Sequence, residues 1–254
     1  MKIVLDISSF LCNAKCVWCY CNHNYKNLGF MSIENVKKFI SLNPDICLEI
    51  TLSGFGEPLI NPNFFEIIDL LHEKYNLIVL TTNFSTKLTE QQIKKLEKYF
   101  LGLWVDAGGV TKESRYQNMK IENDFFFENK KIFDKLNSSK IYYSYIETKY
   151  NTNEDIKHSY FSIKSDEYYK AISCNKKIDY VNSQIYFEEE CTEENFTILS
   201  NGEILLCCDA LYPDYLIGNA FEVPILEIIS DEKYKNAKQL VKEKKYSHLC
   251  KYCR

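Results

Sequence analysis

The fold of this chain is decided by residues 12–19, which read CNAKCVWC and hold Cys12, Cys16 and Cys19 at C-x3-C-x2-C spacing. The apolar run at residues 3–7 predicts a first β-strand, so the three cysteines are expected on the loop that follows it. Three thiolates on one loop can hold three irons of a 4Fe–4S cubane, because thiolate is the ligand that iron–sulfur clusters use. Three ligands leave one iron open to a substrate or cosubstrate, as a catalytic cluster requires.

A structural zinc site is the alternative interpretation of the same loop. Zinc sites more often combine a C-x2-C pair with a distant second pair, so the spacing favours an iron–sulfur cluster. The chain has 11 cysteines among 254 residues, which is too few, and an odd number, for a disulfide-stapled miniprotein. In a reducing compartment, clustered cysteines are more often metal ligands or catalytic groups. The last third of the chain holds a second cluster, which predicts a second metal centre: Cys174, Cys191, Cys207, Cys208, Cys250 and Cys253.

The composition is that of an ordinary soluble globular protein, with 46% apolar and 26% charged residues. A net charge of −4 does not support a general surface for nucleic acid or for an anionic membrane, so neither partner is expected. The first residues hold no apolar stretch of signal-peptide length, and no window of 18 uncharged apolar residues occurs. We therefore expect a cytoplasmic protein.

Strand and helix patterns alternate along the first 150 residues, which predicts βα units and a parallel sheet. The expected strands cover residues 3–7, 46–52, 77–80, 101–105 and 141–146, with a weaker sixth at 160–163; the expected helices cover 32–42, 63–74, 89–99 and 124–136. The fold class is therefore α/β, a partial (βα)6 TIM-like barrel, in which chemistry gathers at the carboxyl ends of the strands. A β-hairpin at 196–207 and a helix at 231–245 predict a small C-terminal domain, and we divide the chain into residues 1–175 and 176–254.

The cysteine loop resembles that of the radical S-adenosylmethionine (radical SAM) enzymes, which carry C-x3-C-x-aromatic-C after the first strand of a partial (βα)6 barrel. Trp18 occupies the aromatic position, and the resemblance assigns it to the cosubstrate site. The segment SGFGEP after the second expected strand resembles the family's glycine-glycine-glutamate-proline motif, which binds the methionyl amine of the cosubstrate. The resemblance assigns cosubstrate binding to Gly54, Gly56, Glu57 and Pro58, with Phe55 in place of the first glycine. Glycine lets a ligand approach the backbone, and a carboxylate can pair with an ammonium group.

Two weaker matches follow at the ends of the next two expected strands. Thr82 and Asn83 are similar to the family's threonine-asparagine motif, and the resemblance assigns both to cosubstrate binding. Asp106 lies where the family commonly has a polar residue near the ribose or carboxylate of the cosubstrate. The resemblance therefore covers residues 3–106 with four motifs in family order.

The C-terminal cysteines resemble the auxiliary-cluster extension of radical SAM enzymes that is called the SPASM or twitch domain. Because no cysteine lies between 208 and 250, only one auxiliary cluster fits, and its expected ligands are Cys191, Cys207, Cys250 and Cys253. The pair Gly218-Asn219 is also similar to a pair in that extension. A zinc ribbon is the alternative, and Cys208 and Cys174 are alternative ligands, although neighbouring residues on a strand face opposite ways and the spacing to Gly202 favours Cys207.

The resemblance implies two 4Fe–4S clusters, S-adenosylmethionine, and an electron donor of the flavodoxin or ferredoxin type. It implies an enzyme that generates a 5′-deoxyadenosyl radical. A fully ligated auxiliary cluster serves as an electron acceptor, so we expect an oxidoreductase, and the size and layout are similar to the aminocyclitol dehydrogenases of aminoglycoside biosynthesis. The expected reaction is the dehydrogenation of an alcohol on a sugar- or cyclitol-like small molecule. The alternatives are a peptide- or protein-modifying maturase, a redox-neutral epimerase, and a non-catalytic zinc or electron-carrier protein.

Overall fold

A computed structural model describes residues 1–19, 27–44, 46, 48–136, 138–145, 148, 150–151, 195–206, 216–243 and 245. These residues form a mixed α/β fold. The strands are β1 Lys2–Leu5, β2 Glu49–Leu52, β3 Leu77–Thr82, β4 Gly102–Asp106, β5 Ile141–Ser144, β6 Asn195–Ile198, β7 Glu203–Leu205 and β8 Leu216–Asn219. The helices are α1 Ile33–Leu42, α2 Phe64–Lys74, α3 Glu90–Tyr99, α4 Lys112–Met119, α5 Phe126–Asp134, α6 Ile225–Ser230 and α7 Glu232–Lys242, with a 3₁₀ turn at Pro58–Ile60.

The structure confirms the first five expected strands, the four expected helices before residue 140, the C-terminal hairpin and the final helix, each within a few residues. The expected caps are also present. Ser32 caps α1 by accepting from the N–H of Asn35, and Thr89 and Gln92 form a capping box on α3. The expected sixth strand and the boundary between residues 175 and 176 lie outside the described residues, so both stay predictions. α4, β8 and α6 were not expected.

The first of two compact units contains residues 1–11 and the described parts of 25–78 and 188–254. In it, β1 pairs in parallel with β2 on one side and with β6 on the other. β6, β7 and β8 then continue the sheet as an antiparallel meander. Ile3, Leu5 and Ile198 are buried at these pairings. The C-terminal hairpin thus extends the sheet that the first strand begins.

The second unit contains the described parts of residues 12–24 and 79–187. β3, β4 and β5 lie in parallel here, and Val105 is paired with Tyr143. Tyr143 meets the ring of Phe126 in α5 at 5.9 Å between centroids, so that helix covers this face of the sheet. Because successive side chains alternate between faces, Asp106 projects from the opposite face.

Among the residues that the structure describes, none of the helices has the length and apolar character needed to cross a bilayer.

Candidate cluster and cosubstrate site

The cysteine loop is fastened to the C-terminal end of α4 by main-chain hydrogen bonds. The N–H of Lys15 donates to the carbonyl of Met119 at 2.7 Å, and the N–H of Val17 donates to that of Asn118 at 2.9 Å. The last carbonyls of a helix have no partner within it, so they are available to an incoming chain. A helix that the sequence did not reveal therefore shapes the loop that carries Cys12, Cys16 and Cys19.

The three thiols form a donor set that suits a cationic metal cluster. None of the three is in a disulfide; Cys12 is exposed and the other two are partly buried. Removal from solvent raises the pKa of the Cys16 thiol well above its usual range, and Cys19, Cys12 and Asp106 raise it further, whereas Arg115 lowers it. Thiols that oppose ionisation in this way become thiolates together when a metal cluster binds. In the described part of the chain they are not arranged as a preformed metal site, so the fit rests on donor chemistry and spacing.

Trp18 is partly buried against an apolar cluster made by Ala14, Met119 and Ile121. The aromatic residue of the cysteine motif therefore packs the loop onto the segment that ends α4. Its position here supports the shape of the loop, and its assignment to cosubstrate binding stays a prediction.

Asn83 links the end of β3 to the start of the cysteine loop. Its Nδ2 donates to Oδ1 of Asn13 at 2.9 Å and lies 3.8 Å from Sγ of Cys12. Its Oδ1 accepts from both the N–H and the hydroxyl of Ser85. The neighbouring Thr82 is buried, and its hydroxyl accepts from the N–H of Phe84 at 2.9 Å, so it shapes the turn that presents Asn83.

Asp106 stands at the end of β4 and accepts a hydrogen bond from the hydroxyl of Ser144, at the end of β5, at 2.6 Å. Desolvation raises the pKa of Asp106, while the Ser144 hydrogen bond and the charge of Arg115 lower it. The expected strand-end position is confirmed, and the hydrogen bond to the next strand fixes the direction of the carboxylate.

Arg115 is a residue of this region that sequence reasoning missed. Its side chain is fully buried, and its guanidinium pairs with Asp124 and stacks on the ring of Phe126 at 4.1 Å. The same guanidinium donates to the carbonyl oxygens of Asn83 and Asp106. A single arginine in a polar stretch carries no sequence signal for such a role.

The SGFGEP segment lies in the first unit, and its glycines are explained by close contacts within the protein. Gly54 has φ +131°, and a Cβ atom there would stand 2.6 Å from Cβ and Cγ of Asp6. A Cβ on Gly56 would collide with the carbonyl oxygens of Ser8 and Leu11. These positions require glycine because the loop after β2 packs directly on the loop after β1.

Glu57 is only 3% exposed, and its Oε1 accepts from the N–H of Leu59 at 3.0 Å. The carboxylate thereby caps the 3₁₀ turn that begins at Pro58. The backbone N–H of Glu57 donates to the carbonyl of Leu11, the residue before Cys12 in the chain, at 2.8 Å. Glu57 is thus a buried and oriented carboxylate, which is compatible with the expected pairing to an ammonium group.

The expected auxiliary ligands Cys191, Cys207, Cys250 and Cys253 lie outside the described residues, as do the alternatives Cys174 and Cys208. In the described C-terminal residues, Asn219 at the end of β8 donates to the carbonyl of Asn201 at 3.3 Å, in the tight turn of the hairpin. Gly202 in that turn has φ +87°, and a Cβ there would collide with the Asn219 side chain. Asn219 of the Gly218-Asn219 pair therefore stabilises the hairpin turn between β6 and β7.

Two family models match the chain. The Radical SAM superfamily model matches residues 7–155, and the SPASM model, an iron-sulfur cluster-binding domain, matches residues 190–254. One similar curated protein is the antilisterial bacteriocin subtilosin biosynthesis protein AlbA of Bacillus subtilis, 33% identical over 91 residues, which are 35% of this chain and 19% of AlbA. Another is the uncharacterized protein MJ0907 of Methanocaldococcus jannaschii, 30% identical over 105 residues, which are 39% of this chain and 36% of that protein. The chain thus covers well under two thirds of either relative.

Solved structures with the same fold span nearly the whole chain. BtrN in complex with AdoMet and 2-DOIA matches with a TM-score of 0.67 at 19% identity, over 100% of this chain and 92% of BtrN. Native anSMEcpe with bound AdoMet matches with a TM-score of 0.70 at 18% identity, over 99% of this chain and 87% of that one. The two family matches imply a 4Fe–4S cluster, an auxiliary cluster and S-adenosylmethionine as cofactors. The two family matches agree with the cysteine loop and with the expected site residues at the ends of successive strands. The chain therefore belongs to the radical SAM superfamily and carries a C-terminal SPASM domain.

Proposed function

We propose that this chain is a radical SAM oxidoreductase that dehydrogenates an alcohol on a small sugar- or cyclitol-like molecule. The observation that carries the proposal is the presence of two separate cysteine sets, of three and of four expected ligands, within the two family matches. A cluster held by three cysteines keeps an open iron, whereas one held by four does not. The second set therefore suits electron transfer rather than substrate binding, and an electron acceptor is needed when a substrate is oxidised.

Each expected site residue has its own role in the proposed reaction. When bound, the catalytic cluster supplies the electron that cleaves S-adenosylmethionine to methionine and a 5′-deoxyadenosyl radical, and the auxiliary cluster supplies an acceptor for one electron from the substrate. Cys12, Cys16 and Cys19 hold the first cluster. Glu57 binds the methionyl ammonium, and Asp106, with its carboxylate oriented by Ser144, binds a polar group of the cosubstrate. Trp18, Gly54, Gly56, Pro58, Thr82 and Asn83 shape these contacts.

The proposed reaction balances in atoms and electrons. The carbinol carbon loses one hydrogen atom to the 5′-deoxyadenosyl radical, the hydroxyl loses a proton to a base, and the resulting radical loses one electron to the acceptor. The product is a ketone two hydrogens lighter than the alcohol. A donor of the flavodoxin or ferredoxin type supplies the electron that cleaves each S-adenosylmethionine, and the electron that the acceptor takes from the substrate returns to that carrier, so the cycle needs no net reductant.

An isotope experiment tests this function. The anaerobically reconstituted protein is given S-adenosylmethionine, a reductant, and a panel of cyclitols and amino sugars deuterated at the carbinol carbon. We expect one deuterium in 5′-deoxyadenosine for each ketone formed. A product of unchanged mass that carries solvent hydrogen would identify a redox-neutral epimerase instead.

Peptide modification is the second candidate, and two similar proteins favour it. AlbA, a bacteriocin biosynthesis protein, is similar over 91 residues, and anSMEcpe also matches as a complex with the Cp18Cys peptide. The discriminating measurement is mass spectrometry of peptides encoded beside the gene after incubation with the reduced enzyme. A mass change in such a peptide, with no turnover of the alcohol panel, would select the maturase.

A further inference from the structure

A buried carboxylate that no part of the proposed function uses joins two loops within the first unit, the loop after β1 and the loop after β2. Asp6, directly after β1, is 1% exposed. Its Oδ2 accepts from the N–H of Phe55 at 2.8 Å, and its Oδ1 accepts from the N–H of Ser8 at 3.2 Å. One side chain thus contacts the backbone that leads to Cys12 and the backbone that leads to Glu57.

The packing around Asp6 leaves the loop after β2 little freedom. A Cβ on Gly54 would stand 2.6 Å from the Asp6 side chain, so any larger residue at position 54 would clash with Asp6. The ring of Phe55 stacks on that of Phe10 at 5.0 Å between centroids. The phenylalanine that replaces a family glycine therefore contributes packing between the same two loops.

We propose that Asp6, in its carboxylate form, is a positioning residue that holds the backbone of residues 54–57 in the conformation that binds S-adenosylmethionine. A carboxylate is acceptor-only, so both its oxygens suit the two N–H groups that face it. A protonated acid turns one oxygen into a donor and faces an N–H with an O–H. The inference rests on the proposed role of residues 54–57 in cosubstrate binding and is independent of the substrate.

The surroundings of Asp6 allow this contact to respond to pH. Burial raises the pKa of Asp6 to about 6, against the lowering effect of hydrogen bonds from Phe55, Ser8 and Ser9. No charged side chain of the described residues contributes to this shift. The titratable group on the facing loop is Glu57, whose Oε1 is directed to the N–H of Leu59.

The first test measures S-adenosylmethionine affinity by calorimetry in the reconstituted enzyme. Asp6→Asn keeps the shape but turns an N–H₂ group toward one of the two amides. We expect binding about tenfold weaker at pH 7.5, the size of one lost charge-assisted hydrogen bond, with unchanged iron content. Glu73→Gln, which removes an exposed carboxylate on α2, is the matched control and should bind as the wild type does. Wild-type affinity in a folded, iron-loaded Asp6→Asn protein would overturn the proposal.

A second measurement needs no folded variant. Hydrogen exchange of a peptide covering residues 53–57 is followed in the wild-type enzyme from pH 5 to pH 7.5, with and without a fixed concentration of S-adenosylmethionine, after correction for the intrinsic chemical rate. We expect the extra protection that the cosubstrate confers to rise as Asp6 ionises, and an extra protection that does not change with pH would contradict the proposal. Glu57→Gln tests the proposed function separately from the role of Asp6. If Glu57→Gln binds S-adenosylmethionine normally, the assignment of residues 54–57 to cosubstrate binding fails. If Glu57→Gln binds weakly but Asp6→Asn binds as the wild type does, only the role of Asp6 is refuted.

Discussion

Nη2 of Arg115 donates a hydrogen bond to the carbonyl oxygen of Asn83 at 2.6 Å. Nη1 of the same side chain donates to the carbonyl oxygens of Asp106 at 2.9 Å and Ala107 at 2.5 Å. One buried cation therefore ties together the carboxyl ends of β3 and β4, where two of the expected cosubstrate residues lie. Asp124 balances its charge.

Replacing Arg115 by Met should destabilise the fold strongly. The variant leaves three carbonyl groups and Asp124 without their donor, and removing one partner of a buried pair costs about 3–5 kcal/mol. Arg115→Lys should also be destabilised, because an ammonium group cannot reproduce the planar fork of donors. The free energy of unfolding is measured by anaerobic denaturation with cluster absorbance as a second probe. Lys112→Met, at an exposed position of the same helix, should change it by no more than ~0.5 kcal/mol, and equal stability of the two methionine variants would contradict this role.

Arg115 also lies on a helix, α4, that could not be predicted from the sequence. β1 to β7 and α1, α2, α3 and α5 could be predicted because each has an apolar pattern of the right period, and the caps Ser32 and Thr89 mark the starts of α1 and α3. α4 reads KESRYQNM, and its four buried side chains are Ser114, Arg115, Asn118 and Met119, of which only the methionine is apolar. A helix that buries polar groups against carbonyl oxygens has no hydrophobic period to detect.

The candidate site likewise contains residues that could be predicted from the sequence and residues that could not. Cys12, Cys16 and Cys19 could be identified because a cluster motif is local in sequence. Asp6 could not, because its partner Phe55 lies 49 residues away and nothing in an isolated aspartate marks that contact. The glycines of the SGFGEP segment were found for a different reason than the one the structure gives, which is close packing on Asp6 and on residues 8–11.

The pKa of Asp6 predicts a measurable dependence of stability on pH. In the folded chain it is raised from 3.8 to about 6, so the folded state holds this proton more tightly than the unfolded state. Stability therefore falls as the pH rises from about 4 to 6, and the full cost of the buried charge is present above that window. From pH 5 to pH 7.5, the wild type should lose about 1.4 kcal/mol relative to Asp6→Asn.

This difference is measured by denaturation of both proteins, without S-adenosylmethionine, at several pH values. Other titrating groups are common to the two chains and cancel in the comparison. Glu73→Gln serves as the control, since its carboxylate is exposed. A gap between wild type and Asp6→Asn that stays constant with pH would show that Asp6 is ionised throughout.

Glu57 is expected to serve both stability and cosubstrate binding, and two substitutions separate these effects. Glu57→Gln keeps an oxygen that can accept from the N–H of Leu59 but loses the negative charge. It should keep the stability of the wild type within ~0.5 kcal/mol while binding S-adenosylmethionine ~2 kcal/mol more weakly, which is about 30-fold. Glu57→Ala should lose both properties, because the cap on the 3₁₀ turn is gone as well.

The control for this pair is Glu66→Gln, an exposed carboxylate in the first turn of α2. Calorimetry gives the affinity and anaerobic denaturation gives the stability. If both Glu57→Gln and Glu57→Ala bind the cosubstrate as tightly as Glu66→Gln does, the ammonium contact belongs to another residue.

Iron content tests the two cysteine sets directly. Two 4Fe–4S clusters predict about eight irons and eight sulfides in each reconstituted chain. Replacing Cys12, Cys16 and Cys19 by Ala together should leave about four irons, and a wild-type chain that takes up only four would refute the auxiliary cluster. Replacing Cys208 by Ala, in contrast, should leave all eight if Cys207 is the ligand.

Removing the auxiliary cluster should separate cosubstrate cleavage from substrate oxidation. A carbon radical beside a deprotonated hydroxyl is strongly reducing, and it forms the ketone only when an acceptor takes its electron. Cys250→Ala combined with Cys253→Ala leaves the three cysteines of the first loop intact, so 5′-deoxyadenosine should still form on reduction with dithionite. The oxidised product should fall to a small fraction of the wild-type yield. Because cluster binding and folding are coupled, circular dichroism must show that the variant keeps its secondary structure. Wild-type amounts of a product two hydrogens lighter would mean that the electron leaves by another path, and the dehydrogenase proposal would lose its main support.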